Sequence, residues 1–288
     1  MNSINIWYET FGKSNHVPIL LIMGAGSQGL LWTDDFCNRL ANHNFYVIRY
    51  DHRDTGLSTC VDYEKHPYTL KDLANDALGL LDKLRLPKAH VIGLSMGGYI
   101  AQLLEIDHPE RLISVTIMMS TPNHMVFMNA LVGNNMYISD LPKPKDEVIT
   151  FFSKPPRDLN SKKKTIDYSL ATWKLLNGPQ APFDEAYWRS LIIKHYDRIQ
   201  NHIAQYNHGK ACFASPEDRT PLLKNVNIPT LVIHGTEDPL LPVEHGRVLA
   251  KTIPNAKLVI IEGMGHALNP VFQQGIIEAF LKHIEKKN

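Results

Sequence analysis

Residues 89–98 read Ala-His-Val-Ile-Gly-Leu-Ser-Met-Gly-Gly, and no other segment restricts the fold so tightly. A short apolar run containing the β-branched Val91 and Ile92 meets the turn Gly93-Leu94-Ser95-Met96-Gly97. A helix-compatible stretch, Tyr99-Ile-Ala-Gln-Leu-Leu-Glu-Ile, follows directly. Strand, tight turn and helix with a serine at the apex is the context of a nucleophile elbow. Gly93 and Gly97 flank the serine because a Cβ at either position would crowd the turn. The helix beginning just after Ser95 aims its unpaired N–H groups and positive dipole end at the serine. At average Gly and Ser usage, about one chain in ten of this length carries the pentapeptide by chance. Alone, it also fits a glycine-rich strand–helix turn of a doubly wound fold with no chemistry attached.

The discriminating test is order along the chain, because such a serine is followed by an acid and then by a histidine. Residues 229–239 read Pro-Thr-Leu-Val-Ile-His-Gly-Thr-Glu-Asp-Pro, so 230–233 reads as a buried strand with Asp238 in the loop beyond it. Residues 258–261 read as another strand, and His266 follows in Gly-Met-Gly-His. Functional groups of open parallel sheets lie beyond the carboxyl ends of the strands, where Ser95, Asp238 and His266 all fall. Asp238 alone could merely cap the turn before Pro239, and one loop histidine among 14 means little. Three residues in the required order, each just past a strand, are hard to reach by accident. Glu237 is expected to point elsewhere, and His234 reads as structural. The strand over 113–119 ends in Ser120-Thr-Pro-Asn, which offers no competing carboxylate.

A second motif competes. Residues 24–29, Gly-Ala-Gly-Ser-Gln-Gly, spell a literal dinucleotide fingerprint after the apolar run 19–23, with Asp51 at the end of the next strand. That reading leaves the serine, aspartate and histidine unexplained. The alternative uses the same glycines to bring a main-chain amide against a reacting carbonyl. The first long loop then supplies Ala25 N–H and the elbow supplies Met96 N–H as the two oxyanion donors. This joins all four loops in one mechanism and is preferred.

The remaining pattern is βαβα throughout, which argues for α/β class with a mostly parallel sheet and helices on both faces. Strands are expected over 4–11, 18–23, 46–51, 89–94, 113–119, 230–235 and 257–262, and helices over 32–43, 69–85, 96–107, 243–252 and 270–285. Thr69 reads as the N-cap of the second helix, with Asp72 three residues on. Asp51, Arg53 and Asp54 read as structural, bracing the loop beside the site. The pattern breaks over 121–220, where Met125, Phe127, Met128, Met136 and Tyr137 crowd together and lysine- and proline-rich runs (142–145, 154–157, 162–164) follow. This stretch is expected to be an inserted helical cap, with residues 1–120 and 221–288 forming the core. Some of the Met and aromatic residues of 123–137 are then expected to face the pocket.

Bulk properties narrow the partners. A net charge of +1 gives no basic field for nucleic acid. No apolar run reaches membrane-spanning length, and the first residues alternate like a strand instead of forming a signal peptide. Cys37, Cys60 and Cys212 are widely spaced and odd in number, which suggests a reducing, cytoplasmic setting and fits neither disulfides nor a metal clip. No cofactor or metal is expected, and oligomeric state leaves no readable trace.

Together these loops resemble the α/β-hydrolase superfamily across nearly the whole chain. The run Val47-Ile-Arg-Tyr-Asp-His-Arg-Asp-Thr-Gly-Leu-Ser58 looks like the Asp-x-Arg-x-x-Gly-x-Ser segment of capped esterases. Met23-Gly24-Ala25-Gly26 and Gly263-Met-Gly-His-Ala267 fit the same picture. The resemblance is narrowest to the aclacinomycin-methylesterase-like hydrolases. It implies an α/β-hydrolase fold and hydrolysis of a carboxylic ester, a methyl ester in that family, on a small-molecule substrate. It casts Ser95 as nucleophile, Asp238 as acid, His266 as base, and Ala25 and Met96 as amide donors. Lactone or C–C bond hydrolysis and perhydrolysis stay open on the same scaffold. A dinucleotide-binding oxidoreductase and a non-catalytic binding protein stay open as other classes. The superfamily's usual His before the oxyanion-loop glycine is Met23 here, as in the methylesterase-like branch. The first antiparallel edge strand is expected to be short or absent.

Overall fold

A computed structural model describes residues 4–134, 136–137, 139–154 and 161–285. Seven strands form one sheet among the described residues: Tyr8–Phe11 (β1), Val17–Ile22 (β2), Phe45–Tyr50 (β3), Ala89–Leu94 (β4), Leu112–Met118 (β5), Thr230–Gly235 (β6) and Lys257–Ile261 (β7). Their order is β1-β3-β2-β4-β5-β6-β7. β1 runs antiparallel to β3, and every other pairing is parallel. Helices Asp34–Ala41 (α1), Leu70–Lys83 (α2) and Met96–Asp107 (α3) precede β5. Met125–Leu131 (α4), Asp146–Phe152 (α5), Lys162–Leu176 (α6), Glu185–Arg198 (α7), Asn207–Phe213 (α8) and Thr220–Leu223 (α9) lie between β5 and β6. Glu244–Thr252 (α10) and Pro270–Ile284 (α11) complete the fold.

Alternation along the strands explains the two helical layers. Ile19 and Leu21 pack with Phe36 of α1 and Phe280 of α11 on one face. Leu20 and Ile22 pack with Leu73 and Leu81 of α2 and Ile100 of α3 on the other. All are at most 1% exposed, as expected of parallel strands covered on both sides. Each such side chain contributes about 1.5–3 kcal/mol.

The differences from expectation lie at element ends. β1 begins at Tyr8 and not at residue 4, because the preceding backbone is bonded to a loop and not to a strand. Asn5 N–H donates to Thr59 Oγ1 (2.8 Å) and Trp7 N–H to Ser58 Oγ (2.9 Å). The expected strand over 4–11 is therefore shortened to four residues and forms the antiparallel edge of the sheet. α1 begins at Asp34 because the Thr33 side chain accepts the Phe36 N–H. α2 begins as its sequence suggests, with Asp72 Oδ2 accepting the Thr69 N–H (2.8 Å).

The six helices between β5 and β6 have their own aromatic centre. Trp188, 2% exposed, stacks on Trp173 (5.2 Å between centroids) and Phe183 (5.9 Å). Both crossings between this insertion and the core meet at Arg219. Its N–H donates to Pro122 O (3.1 Å), and its guanidinium donates to Thr121 O and to Gln102 Oε1 of α3 (both 3.0 Å). Residues 155–157 of the expected lysine- and proline-rich loop lie outside the described residues.

Candidate active site

Ser95 sits between the carboxyl end of β4 and the first turn of α3. Its φ of +56° with ψ of −117° is a conformation that non-glycine residues avoid, at a cost of about 1–3 kcal/mol. The surroundings impose it. Ser95 N–H donates to Met118 O (2.9 Å) at the end of β5, and Ser95 O accepts from Ser120 Oγ (2.9 Å) and Gly98 N–H (2.8 Å). The glycines are a packing requirement. A Cβ on Gly97 would lie 2.1 Å from Ile22 O, and one on Gly93 would lie 2.2 Å from Gly97 O. Ser120 was noted in the sequence only for not being an acid. The structure gives it the task of holding the serine's carbonyl.

Asp238 follows β6 and His266 follows β7, and their side chains meet. His266 Nδ1 lies 2.7 Å from Asp238 Oδ2, with the residues 4% and 2% exposed. The other oxygen, Oδ1, accepts the N–H groups of Leu240 and Leu241, both at 2.9 Å. Burial alone would raise the carboxyl's pKa. The charge of His266 and the hydrogen bonds from His234 and His266 outweigh it and hold Asp238 well below the ordinary carboxylate range. His234, read from sequence as structural, is closer to the chemistry than that. It is fully buried, its Nε2 donates to Leu241 O (2.7 Å), and the same nitrogen lies 3.4 Å from Asp238 Oδ2. Glu237 points away, accepting from Gln180 Nε2 (2.9 Å). No hydrogen bond joins Ser95 to His266 in this structure, although all three residues lie off the same edge of the sheet.

The loop after β2 comes up against the serine. A Cβ on Gly24 would stand 3.3 Å from Ser95 Cβ. The amides of Ala25 and Met96 donate to no protein acceptor among the described residues. Asp51 is fully buried and accepts from Gly29 N–H (2.9 Å), Leu57 N–H (3.0 Å) and Arg198 of α7 (2.7 Å). A carboxylate so occupied cannot bind a ribose, and the glycine-rich loop lies against Ser95. Arg53 grips Asp76 through two 2.7 Å bonds, and Asp54 accepts from Tyr68 OH (2.6 Å). Two histidines that drew no comment in the sequence also hold this loop. His52 Nε2 donates to Met23 O (2.9 Å), and His208 Nδ1 accepts Gly26 N–H (2.8 Å). Burial drives His52 down to about 3 and lowers His208 as well, so both rings are neutral. His52 fills an unspecified position of the 51–58 segment and His208 lies in no motif, so only the fold could reveal their roles.

A cavity of about 340 Å³ opens from Ala25 and Gly26 into the insertion. Phe152, Tyr168, Trp173, Tyr196 and Tyr206 form its apolar wall, and Thr172, His195, His202 and Gln205 are polar points within it. The expectation that the Met and aromatic residues of 123–137 line the pocket is not met. None of Met125, Phe127, Met128, Met136 and Tyr137 lines this cavity: Met128 is buried in packing and Met136 is 90% exposed. Within the insertion the lining comes instead from the end of α5, from α6 and α7, and from the segment that leads into α8 and its first turn. Among the described residues, no group of three or more His, Cys, Asp or Glu is placed to hold a metal ion. No helix among them is long and apolar enough to cross a membrane.

Comparison with known proteins agrees with this fold. The family described as alpha/beta hydrolase fold matches residues 17–271. The chain is 34% identical to the rhodomycin D methylesterase DnrP of Streptomyces peucetius, over 98% of this chain and 95% of that one. It is 29% identical to the putative carbamate hydrolase RutD of Pseudomonas syringae pv. syringae, over 91% of this chain and 93% of the other. The crystal structure of a hydrolase from Pseudomonas aeruginosa superimposes with a TM-score of 0.74 at 22% identity, covering 99% of this chain and 96% of that one, and so shares the fold.

Proposed function

The chain belongs to the α/β-hydrolase fold family, and from that premise we propose that it is a serine esterase acting through an acyl-enzyme. Its substrate is a carboxylic ester of a small, largely apolar molecule, with a methyl ester the first to test. The observation that carries this reading is the buried His266–Asp238 pair, set off the same sheet edge as the strained Ser95 elbow. In the proposed reaction Ser95 Oγ attacks the ester carbonyl while His266 Nε2 takes its proton. Asp238 accepts from His266 Nδ1–H, holding that tautomer and stabilising the imidazolium. Contacts of this kind often close only when substrate is bound, so the open Ser95–His266 pair is compatible with the role. The free amides of Ala25 and Met96 receive the developing oxyanion, each donor worth about 3 kcal/mol. The proton held by His266 passes to the leaving alcohol, and water releases the acyl group by the same route. The helical insertion acts as a cap, and its aromatic walls take up the apolar part of the substrate. All three cysteines are free, which fits a reducing compartment such as the cytoplasm.

A fluorophosphonate probe tests the assignment. One adduct on the wild-type chain, mapped to Ser95 and lost in Ser95→Ala, is the expected result, together with hydrolysis of a methyl- and aryl-ester panel that Ser95→Ala abolishes. A folded Ser95→Ala variant that keeps its esterase activity overturns the reading.

A further inference from the structure

The proposed donor Ala25 N–H sits in a loop that must hold its direction, and the structure shows what grips each side of it. Met23 O is bonded to His52 Nε2 (2.9 Å), and Gly26 N–H is bonded to His208 Nδ1 (2.8 Å). The second contact comes from outside the core, because His208 belongs to α8 of the insertion. His208 is fully buried, and its Nε2 lies 2.8 Å from Arg53 O. An amide N–H can only donate, so His208 Nδ1 carries the lone pair and Nε2 the proton that goes to Arg53 O. The residue thus ties three segments together: the loop after β2, the loop after β3 and the cap. The ring of His52 meets it edge-on at 5.5 Å, completing the clamp. Gly26 holds φ at +68°, and Gln205 O of the cap lies 3.8 Å from where its Cβ would be. A loop carrying two glycines has little stiffness of its own and keeps its shape through such outside contacts.

From this geometry we infer that His208 is a positioning residue for the oxyanion hole, holding the Gly26 amide so that Ala25 N–H stays aimed at the reacting carbonyl. The inference rests on the serine esterase reading. It makes transition-state stabilisation depend on the seating of the cap, since the acceptor leaves with α8. His208 forms no bond to substrate, and its effect falls on kcat and not on ground-state binding.

The test compares His208→Asn, His208→Gln and His208→Phe in the full chain. Asn places an acceptor at the Nδ1 position. Gln keeps a donor for Arg53 O but offers nothing at Nδ1, and Phe keeps only the ring shape. Steady-state kinetics on p-nitrophenyl butyrate and a methyl ester, with thermal unfolding alongside, give the readout. Expected is a 10- to 100-fold fall in kcat for Gln and Phe with KM within about two-fold, and recovery of most of the loss in Asn. Should the Phe variant not fold, the Asn–Gln pair carries the same comparison. Unchanged kcat in Gln, or equal losses in Asn and Gln, overturns the inference while leaving an active wild type and the esterase reading intact. A wild type with no ester turnover and no phosphonate adduct on Ser95 overturns both together.

Discussion

Asp238 shows how one residue can be specified by its surroundings more than by its motif. Two amides fix one of its oxygens, His266 takes the other, and His234 stands behind. Held well below the ordinary carboxylate range, it stays ionised through mildly acidic conditions. Asp238→Asn keeps the size but turns an acceptor towards a donor, and so favours the wrong His266 tautomer. Its kcat is expected to fall by about 10³–10⁴ with KM little changed, as steady-state kinetics on the ester substrate can check. A loss below tenfold would mean that Asp238 is not the orienting acid. Ser95 is fixed in the same way, through its N–H to Met118, its C=O to Ser120 and Gly98, and two glycines that make room for the turn.

At the scale of elements, the insertion between β5 and β6 is held at its root by Arg219. This guanidinium is 2% exposed and stands 5.0 Å over the Tyr99 ring. Burial lowers its pKa to about 10, which leaves it charged at neutral pH. It joins Thr121 on the outgoing crossing to its own returning crossing and to Gln102 of α3. Arg219→Ala strands the Gln102 amide oxygen, removes one of the two donors to the Thr121 carbonyl and leaves a buried void. The expected cost is about 3 kcal/mol in urea unfolding, with faster proteolysis inside 121–220 than in the core. A variant as stable and as protease-resistant as wild type would show that the crossings hold without it.

For the whole molecule, a buried acid remote from the chemistry sets a pH dependence of stability. Glu105 on α3 is 1% exposed, and burial pushes its carboxyl from 4.5 up to about 8 against a hydrogen bond from Thr230 Oγ1. In the folded protein it is therefore protonated at neutral pH, and on unfolding it releases that proton. Between 4.5 and about 8 the unfolded chain binds fewer protons than the folded one, so stability falls as pH rises through this window. The loss from pH 5 to pH 8 is about 4 kcal/mol on the basis of 1.36 kcal/mol per pKa unit. Glu105→Gln keeps the shape and a donor without the titration. Its unfolding free energy, measured in urea at pH 5 and pH 8, should change less over that range than that of the wild type. Parallel curves for the two proteins would show that Glu105 is not the source.

The chain order of Ser95, Asp238 and His266 and the flanking apolar runs were legible in the sequence because they are local. Gly-x-Ser-x-Gly needs its glycines within two residues, and a buried strand is a run of consecutive side chains. The α/β class, the strand positions and the long insertion followed from the same short-range periodicity. Element ends were less legible where a distant loop competed for the backbone, as Ser58 and Thr59 do before β1. The supports of the site were not legible at all. No motif specifies His52, His208, Ser120, Arg198 or Arg219, and their long-range partners lie between 25 and 182 residues away in the chain. The cavity wall was misplaced for the same reason, because the apolar residues of 123–137 and those of 152–206 look alike until packing decides which face the loop after β2. Sequence determined which groups could react, through local backbone chemistry. The tertiary structure alone decided what holds them in place, because a hydrogen bond or a cavity wall depends on distance in space and not along the chain.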